Sequence, residues 1–170
     1  MTNYLRVAMI AFATFVSIIF PNAKATNNQN NLIGSSQSYK DFNIVIDFSQ
    51  AKICDMSEES FAEYERDWNK DKPDILSKMI ESVILSSKKY ITYNKQSSNT
   101  LFIRVIEIDE WAIFNCDIEF IDSDNNKVFE VLAIGCSGDT FVARSLLRRI
   151  KNGAFLEGLE IGKELKKRFK

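Results

Sequence analysis

The chain holds 170 residues, 45% of them hydrophobic and 26% charged, with 22 Lys and Arg against 23 Asp and Glu and no histidine. That length suits one ordinary globular domain and leaves no room for two. The balanced charge argues against a nucleic-acid partner, which needs a basic face to neutralise phosphates. The lack of histidine removes Ser-His-Asp and Cys-His nucleophilic schemes, imidazole proton shuttles and histidine-containing zinc sites.

Arg6 precedes an apolar run, Val7 to Phe20, followed by Pro21 and the small-residue pattern Ala23-Lys24-Ala25. This is the layout of a secretory signal peptide, residues 1–25, cleaved after Ala25. The run is shorter than the roughly 20 residues a helix needs to cross a bilayer. Bacterial lipoproteins carry Cys at the new N-terminus, and here that position is Thr26. The expectation is therefore a periplasmic or secreted protein without a lipid anchor. Residues 26–40, rich in Asn, Gln and Ser, read as a disordered mature N-terminus too polar to bury anything.

A single domain over residues 41–170 follows. Asn43 to Asp47 reads as a first strand, largely apolar. Asp55-Met56-Ser57-Glu58 has capping-box spacing, with Phe61, Tyr64 and Trp68 at helical intervals behind it. Asp71-Lys72-Pro73-Asp74 is predicted to interrupt that helix and start a second one, whose buried stripe is Ile75, Met79, Ile80, Val83 and Ile84 and which ends near Ser87. The kink makes Phe61 to Asn69 the stretch whose packing the sequence specifies least. Tyr90 to Tyr93 is a brief strand. Leu101 to Ile108 is a third, apolar on both faces and so expected to be central and covered on both sides.

Ala112 to Gly135 reads as a β-hairpin. Phe114, Cys116, Ile118 and Phe120 alternate with polar residues, and Ser123 to Asn126 supply turn chemistry. If Asp122 faces Lys127, Phe120 pairs with Phe129, Ile118 with Val131 and Cys116 with Ala133; a slip by one residue would bury Glu130. A long helix is predicted from Thr140 to the C-terminus, with Asn152-Gly153 as a place to break or bend. Ala154, Gly158 and Gly162 recur every fourth residue along it, a smooth ridge read as packing on the sheet, or alternatively as a helix-to-helix dimer contact. The predicted fold class is α+β: a mixed, mainly antiparallel sheet of about five strands, in the order β-α-β-β-β-β-α, with helices packed on one face.

Asp55 to Asp74 is acidic and Arg144 to Lys170 basic, which suggests helices of opposite sign lying side by side; the basic last helix also offers a peripheral contact to a membrane. Three cysteines allow at most one internal disulfide. By strand parity Cys116 and Cys136 fall on opposite faces, and Cys54 and Cys136 at opposite ends of the sheet, so three unpaired thiols are expected.

Candidate chemistry is sparse. Cys136, just before a helix, is the best nucleophile, without a visible base. Asp122 to Asn126 resembles a calcium loop only until Lys127 and Ala133 occupy the positions of its Gly and bidentate Glu. Gly135-x-x-Gly138 lacks the Lys-Ser or Lys-Thr of a phosphate loop. Glu107, Asp109 and Glu110 cluster at a strand end, where they read as turn carboxylates ahead of an acid–base pair. Asp109, Glu110 and Trp111 form a candidate partner surface, with the indole expected at a loop tip. No cofactor or metal site is expected.

With these elements assembled, the mature chain resembles the small envelope domains of exported bacterial proteins similar to the N-terminal domain of TolB. The resemblance rests on Asn43 to Asp47, on Leu101 to Ile108 and Phe114 to Asp122 with its acidic turn, and on Gly158-x-x-x-Gly162-Lys163-x-Leu165. It implies an α/β sandwich that assembles with envelope partners and does not catalyse. The functional expectation is a non-catalytic binding or assembly module of the bacterial cell envelope with a protein partner. Its rivals are a secreted inhibitor or immunity protein acting by surface contact, and an enzyme built on Cys136.

Overall fold

A computed structural model describes residue 39, residues 41–135 and residues 145–170. The predicted signal peptide with its cleavage point at Ala25, the polar residues 26–38, Cys136 and the predicted helix start at Thr140 lie outside the described residues. Residues 37–170 form one compact unit.

The fold is α+β. In chain order its elements are β1 (Asp41–Asp47), β2 (Lys52–Ile53), β3 (Met56–Ser57), α1 (Glu58–Tyr64), α2 (Trp68–Ser87), β4 (Thr92–Tyr93), β5 (Thr100–Ile108), β6 (Phe114–Ile121), β7 (Lys127–Gly135) and α3 (Leu146–Arg168). The sheet has seven strands, three of them only two residues long, so the expected five grows by short additions. β5 is central. β1 runs parallel to its first half, from Asn43↔Thr100 to Asp47↔Arg104, and β2 resumes the same side at Ile53↔Ile108. β6 pairs antiparallel on the other side of β5, and β7 closes that edge. Most residue pairs are antiparallel, because the β5-β6-β7 meander contributes the longest ladders.

The helices cover one face. β6 shows it by strict alternation: Phe114, Cys116, Ile118 and Phe120 are buried, while the residues between them are not. β5 is central as expected but covered on one side only, since Phe102, Arg104 and Glu107 face out. Its apolar outer residues come from in-register pairing of Val45 with Phe102, 37% and 36% exposed. A second layer of helices is absent from that face among the described residues.

The hairpin register holds at Ile118↔Val131 and Phe120↔Phe129 and then shifts. Cys116 pairs with Ile134 instead of Ala133, because a bulge places Leu132 and Ala133 together opposite Asp117. Ala133 takes a φ of 56°, and its N–H donates to Asp117 Oδ1 at 2.9 Å. At the turn Lys127 pairs with Ile121, not Asp122. Asp122 Oδ1 instead accepts from the N–H groups of Asp124 and Asn126 at 2.9 and 2.8 Å, which is a self-capped polar turn.

Before α2 the chain breaks at Glu65 to Asp67, not at Asp71 to Asp74. Seven residues of unbroken helix would hold Phe61 and Trp68 about 10.5 Å apart along the axis. The break folds α1 back, so the two rings meet edge to face at 5.2 Å and both are fully buried. Trp68 Nε1 donates to Glu58 Oε1 at 3.0 Å, and Lys72 pairs with the same carboxylate. The region whose packing the sequence specified least is thus a locked corner of the core. Pro73 sits inside α2, where its missing N–H leaves the carbonyl of Asn69, an exposed residue, to water. The α1 cap is Ser57, whose Oγ accepts from Ser60 N at 3.2 Å, two residues past the predicted Asp55.

α3 runs unbroken through Asn152-Gly153. Its small-residue ridge packs within the chain, but on α2 and not on the sheet. A Cβ added at Gly158 would meet Met79 O at 2.5 Å, and one at Gly162 would meet Ser86 Cβ at 2.5 Å. Ser82 and Ser86 are the complementary small residues. Ser82 is fully buried and satisfied by donating to Met79 O at 2.8 Å. Lys151 of α3 pairs with Asp74 of α2, which sets the expected opposite charges side by side. Tyr39, assigned by composition to the disordered mature N-terminus, packs on Phe120 and Phe169 at 5.5 and 5.7 Å, so order starts before Asp41.

Candidate functional site

Two tight turns meet at one end of the sheet. The first joins β2 to β3: Ile53 faces Met56, and the two residues between, Cys54 and Asp55, take φ of 49° and 64°. Positive φ at both central positions is what a two-residue hairpin loop requires to match strand twist. Cys54 adopts it without the freedom of glycine because its N–H is fixed to Ile108 O at 2.8 Å.

The second turn joins β5 to β6 through Asp109, Glu110, Trp111 and Ala112. Ala112 N donates to Asp109 O at 2.9 Å, and Asp109 N to Ile113 O at 3.1 Å. Asp109 Oδ1 accepts from Trp111 N and Ile113 N at 2.9 and 2.8 Å. This carboxylate is therefore spent on shaping the turn. Ala112, with a φ of 62°, lies fully buried under Gly153 of α3, where any Cβ would strike Ala112 O. The turn is pinned from below, and Trp111 stands above it, 45% exposed.

Between the turns lies a recess of about 300 Å³ lined by Cys54, Asp55, Glu107, Asp109, Glu110 and Trp111. Four of the six are carboxylates and none is basic. The Cys54 Sγ reaches Asp109 O at 3.8 Å. Its thiol is pushed above the ordinary range, first by burial and then by the charge of Asp109, with Arg149 opposing. A thiol so placed stays protonated at neutral pH and is a poor nucleophile. In peptide-mapped alkylation at neutral pH, Cys54 should react more slowly in the folded chain than in the denatured one; rapid labelling of folded Cys54 would contradict this placement. Among the described residues no group of three or more acidic or cysteine side chains is arranged to hold a metal ion.

The structure thus brings Asp109, Glu110 and Trp111 together with Glu107, and adds Cys54 and Asp55, which the sequence placed in another element. The parallel course of β1 and β2 along β5 does this. It also puts Cys54 at the same end of the sheet as Gly135, through Ile53↔Ile108, Glu107↔Asn115 and Asn115↔Gly135, where the sequence reading had placed the strand leading to Cys136 at the far end. The bulge at Ala133 likewise removes the strand parity between Cys116 and Cys136. Cys136 itself and Gly138 lie outside the described residues.

A larger cleft, about 550 Å³, was not foreseen as such: Glu65, Asp67, Asp71 and Asp74 face Arg148 and Lys151 across it. Its only sequence signal was the opposite charge of the two segments. Comparison with protein-family models, with curated proteins and with solved structures finds no match for this chain.

Proposed function

We propose that the chain is an exported, non-catalytic binding module of a bacterial cell envelope, and that it meets a protein partner through the Trp111 corner. One observation carries the reading: a half-exposed indole stands on a backbone-locked turn at the rim of a recess whose charges are all negative. Such a corner suits a Lys or Arg side chain of a partner, taken by the free carboxylates of Glu107, Glu110 and Asp55 with its aliphatic stem on the indole. Burial, and after it the charge of Asp109 with Glu110 and Asp55 behind, keeps the neighbouring thiol protonated, which supports binding over Cys54 chemistry. The resemblance to the TolB N-terminal domain and the signal-peptide layout of residues 1–25 point to the envelope as the place of action.

The test is retention of envelope proteins on the immobilised chain and on its Trp111→Ala variant. A turn-centre Trp contributes about 2 kcal/mol to an interface, so the variant should release the partner with roughly 30-fold weaker affinity. Equal retention by both proteins would remove the Trp111 corner from the reading.

A further inference from the structure

Away from that corner, the outer surface of the helical layer has a composition that the core does not require. α2 and α3 run side by side in the same direction, with Asp74 next to Lys151, Ser82 next to Gly158 and Ser86 next to Gly162. On α3 the solvent-facing stripe is Arg148, Asn152, Phe155, Leu159, Lys163 and Lys166, at helical spacing and all at least partly exposed. On α2 the facing stripe is Lys78, Glu81 and Leu85, continued just past the helix end by Lys89, with Leu85 52% exposed. A shallow groove of about 410 Å³, lined by Lys78, Lys151, Asn152, Phe155 and Leu156, lies between them. The surface is therefore a short apolar strip with a cation at each end.

Cations outnumber acids on it. Glu81, Glu160 and Asp74 are each engaged by a lysine of the same surface, Lys78, Lys163 and Lys151. Lys89 and Lys166 remain in excess and flank the Tyr90 ring at 5.9 and 5.5 Å, while Arg148 faces the carboxylates of Glu65, Asp67 and Asp71 across the larger cleft. The opposite face of the molecule has the opposite sign: on the outer side of the long strands Asp47, Asp117, Glu119 and Glu130 outnumber Arg104 and Lys127. The outer face of α2 and α3 is thus net basic and the outer face of the long strands net acidic.

We infer that the α2–α3 outer face docks on an anionic phospholipid surface. Three features favour lipid over a protein helix. The surface is a broad two-helix layer with only a shallow groove. Five of its six cations are lysines, whose flexible stems let the ammonium groups rise to headgroup phosphates while the stems cover apolar surface. The stripe from Arg148 to Lys166 is about 27 Å long, which lies flat along an interface with Phe155, Leu159 and Leu85 turned toward the acyl boundary. The acidic sheet face then points away from the lipid and fixes one orientation. The recess at Trp111 plays no part in this contact, so the inference stands independently of the proposed function.

The experiment is vesicle flotation with phosphatidylcholine vesicles, with and without phosphatidylglycerol. The full chain is run beside residues 37–170, the compact unit, which lacks the apolar run at 7–20. Both should float with the anionic vesicles only, and flotation should fall as salt rises from about 0.1 to about 1 M and the Debye length drops from ~10 to ~3 Å. In residues 37–170, Lys89→Gln and Lys166→Gln should each weaken binding about fivefold, and Leu85→Ser should weaken it without altering the salt dependence. Circular dichroism checks that these exposed substitutions leave the fold intact. The inference is overturned if the compact unit ignores anionic vesicles, if it binds neutral ones equally, if the lysine variants bind like the parent, or if an acidic amphipathic peptide binds this face while vesicles do not.

Discussion

Trp68→Ala should cost about 3–5 kcal/mol of stability, a large part of the 5–15 kcal/mol that holds a domain of this size folded. The side chain is fully buried, packs edge to face on Phe61 at 5.2 Å and lies 6.1 Å from Phe48. Its loss also strips Glu58 of the indole donor and leaves Lys72 as the remaining partner of that carboxylate. Trp68→Phe separates the two effects. It keeps most of the apolar volume and forfeits the Nε1 bond, so it should cost about 1 kcal/mol for that bond plus the smaller ring. Urea midpoints at constant slope report both variants; a Trp68→Ala midpoint within error of the parent would show that the α1–α2 corner does not contribute to the core.

Gly158→Val is expected to lose about 3 kcal/mol through overpacking, and Gly158→Ala somewhat less. Alanine is favoured over glycine inside a helix by up to about 1 kcal/mol, so on local grounds the second change should stabilise. The tertiary contact reverses the sign. The new Cβ would lie 2.5 Å from Met79 O, a backbone atom of α2 that cannot rotate away, and the helices must separate. Asn152→Ala, on the exposed side of the same helix, is the control and should change stability by no more than about 0.5 kcal/mol. Thermal unfolding of the three variants decides it: a stabilised Gly158→Ala would mean that α2 and α3 are not in close contact.

Both cases show what kind of information the sequence carried. The ridge of Ala154, Gly158 and Gly162 was visible as a place of close approach, yet its partner was not. Ser82 and Ser86 have the same four-residue spacing on α2, and that match was the available signal. It was masked because serine in a helix reads as a solvent-facing residue, whereas here Ser82 satisfies its hydroxyl on Met79 O and can be buried. The break before Trp68 was misplaced for a related reason. Proline at 73 is the strongest local breaker, but the energy gained by bringing Phe61 and Trp68 into contact decided where the chain turned, and α2 absorbed the proline where the orphaned carbonyl belongs to a solvent-exposed residue.

At the candidate site, Asp109, Glu110 and Trp111 could be singled out from the chain because polar residues and an aromatic at a strand end have no core to join. The participation of Cys54 and Asp55 could not be read, since it depends on β2 resuming the side of β5 that β1 leaves, and parallel pairing leaves no register mark in either strand's alternation. Nor could the role of Asp109 be read: its carboxylate is used by Trp111 N and Ile113 N, so what looked like one of three available acids is part of the scaffold.

What the sequence determined by itself is local and periodic. The alternation in Phe114 to Phe120, the polar turn at Asp122 to Asn126 and the apolar stripe from Ile75 to Val83 set the strands, the hairpin and the second helix, because period and turn chemistry act over a few residues. Tertiary structure alone decided the parallel placement of β1 on β5, the bulge that moves Cys116 from Ala133 to Ile134, the one-sided covering of β5 and the helix-on-helix use of the glycine ridge. Each of these depends on contacts between residues far apart in the chain, whose energies compete with local preference and, at Pro73 and Gly158, override it.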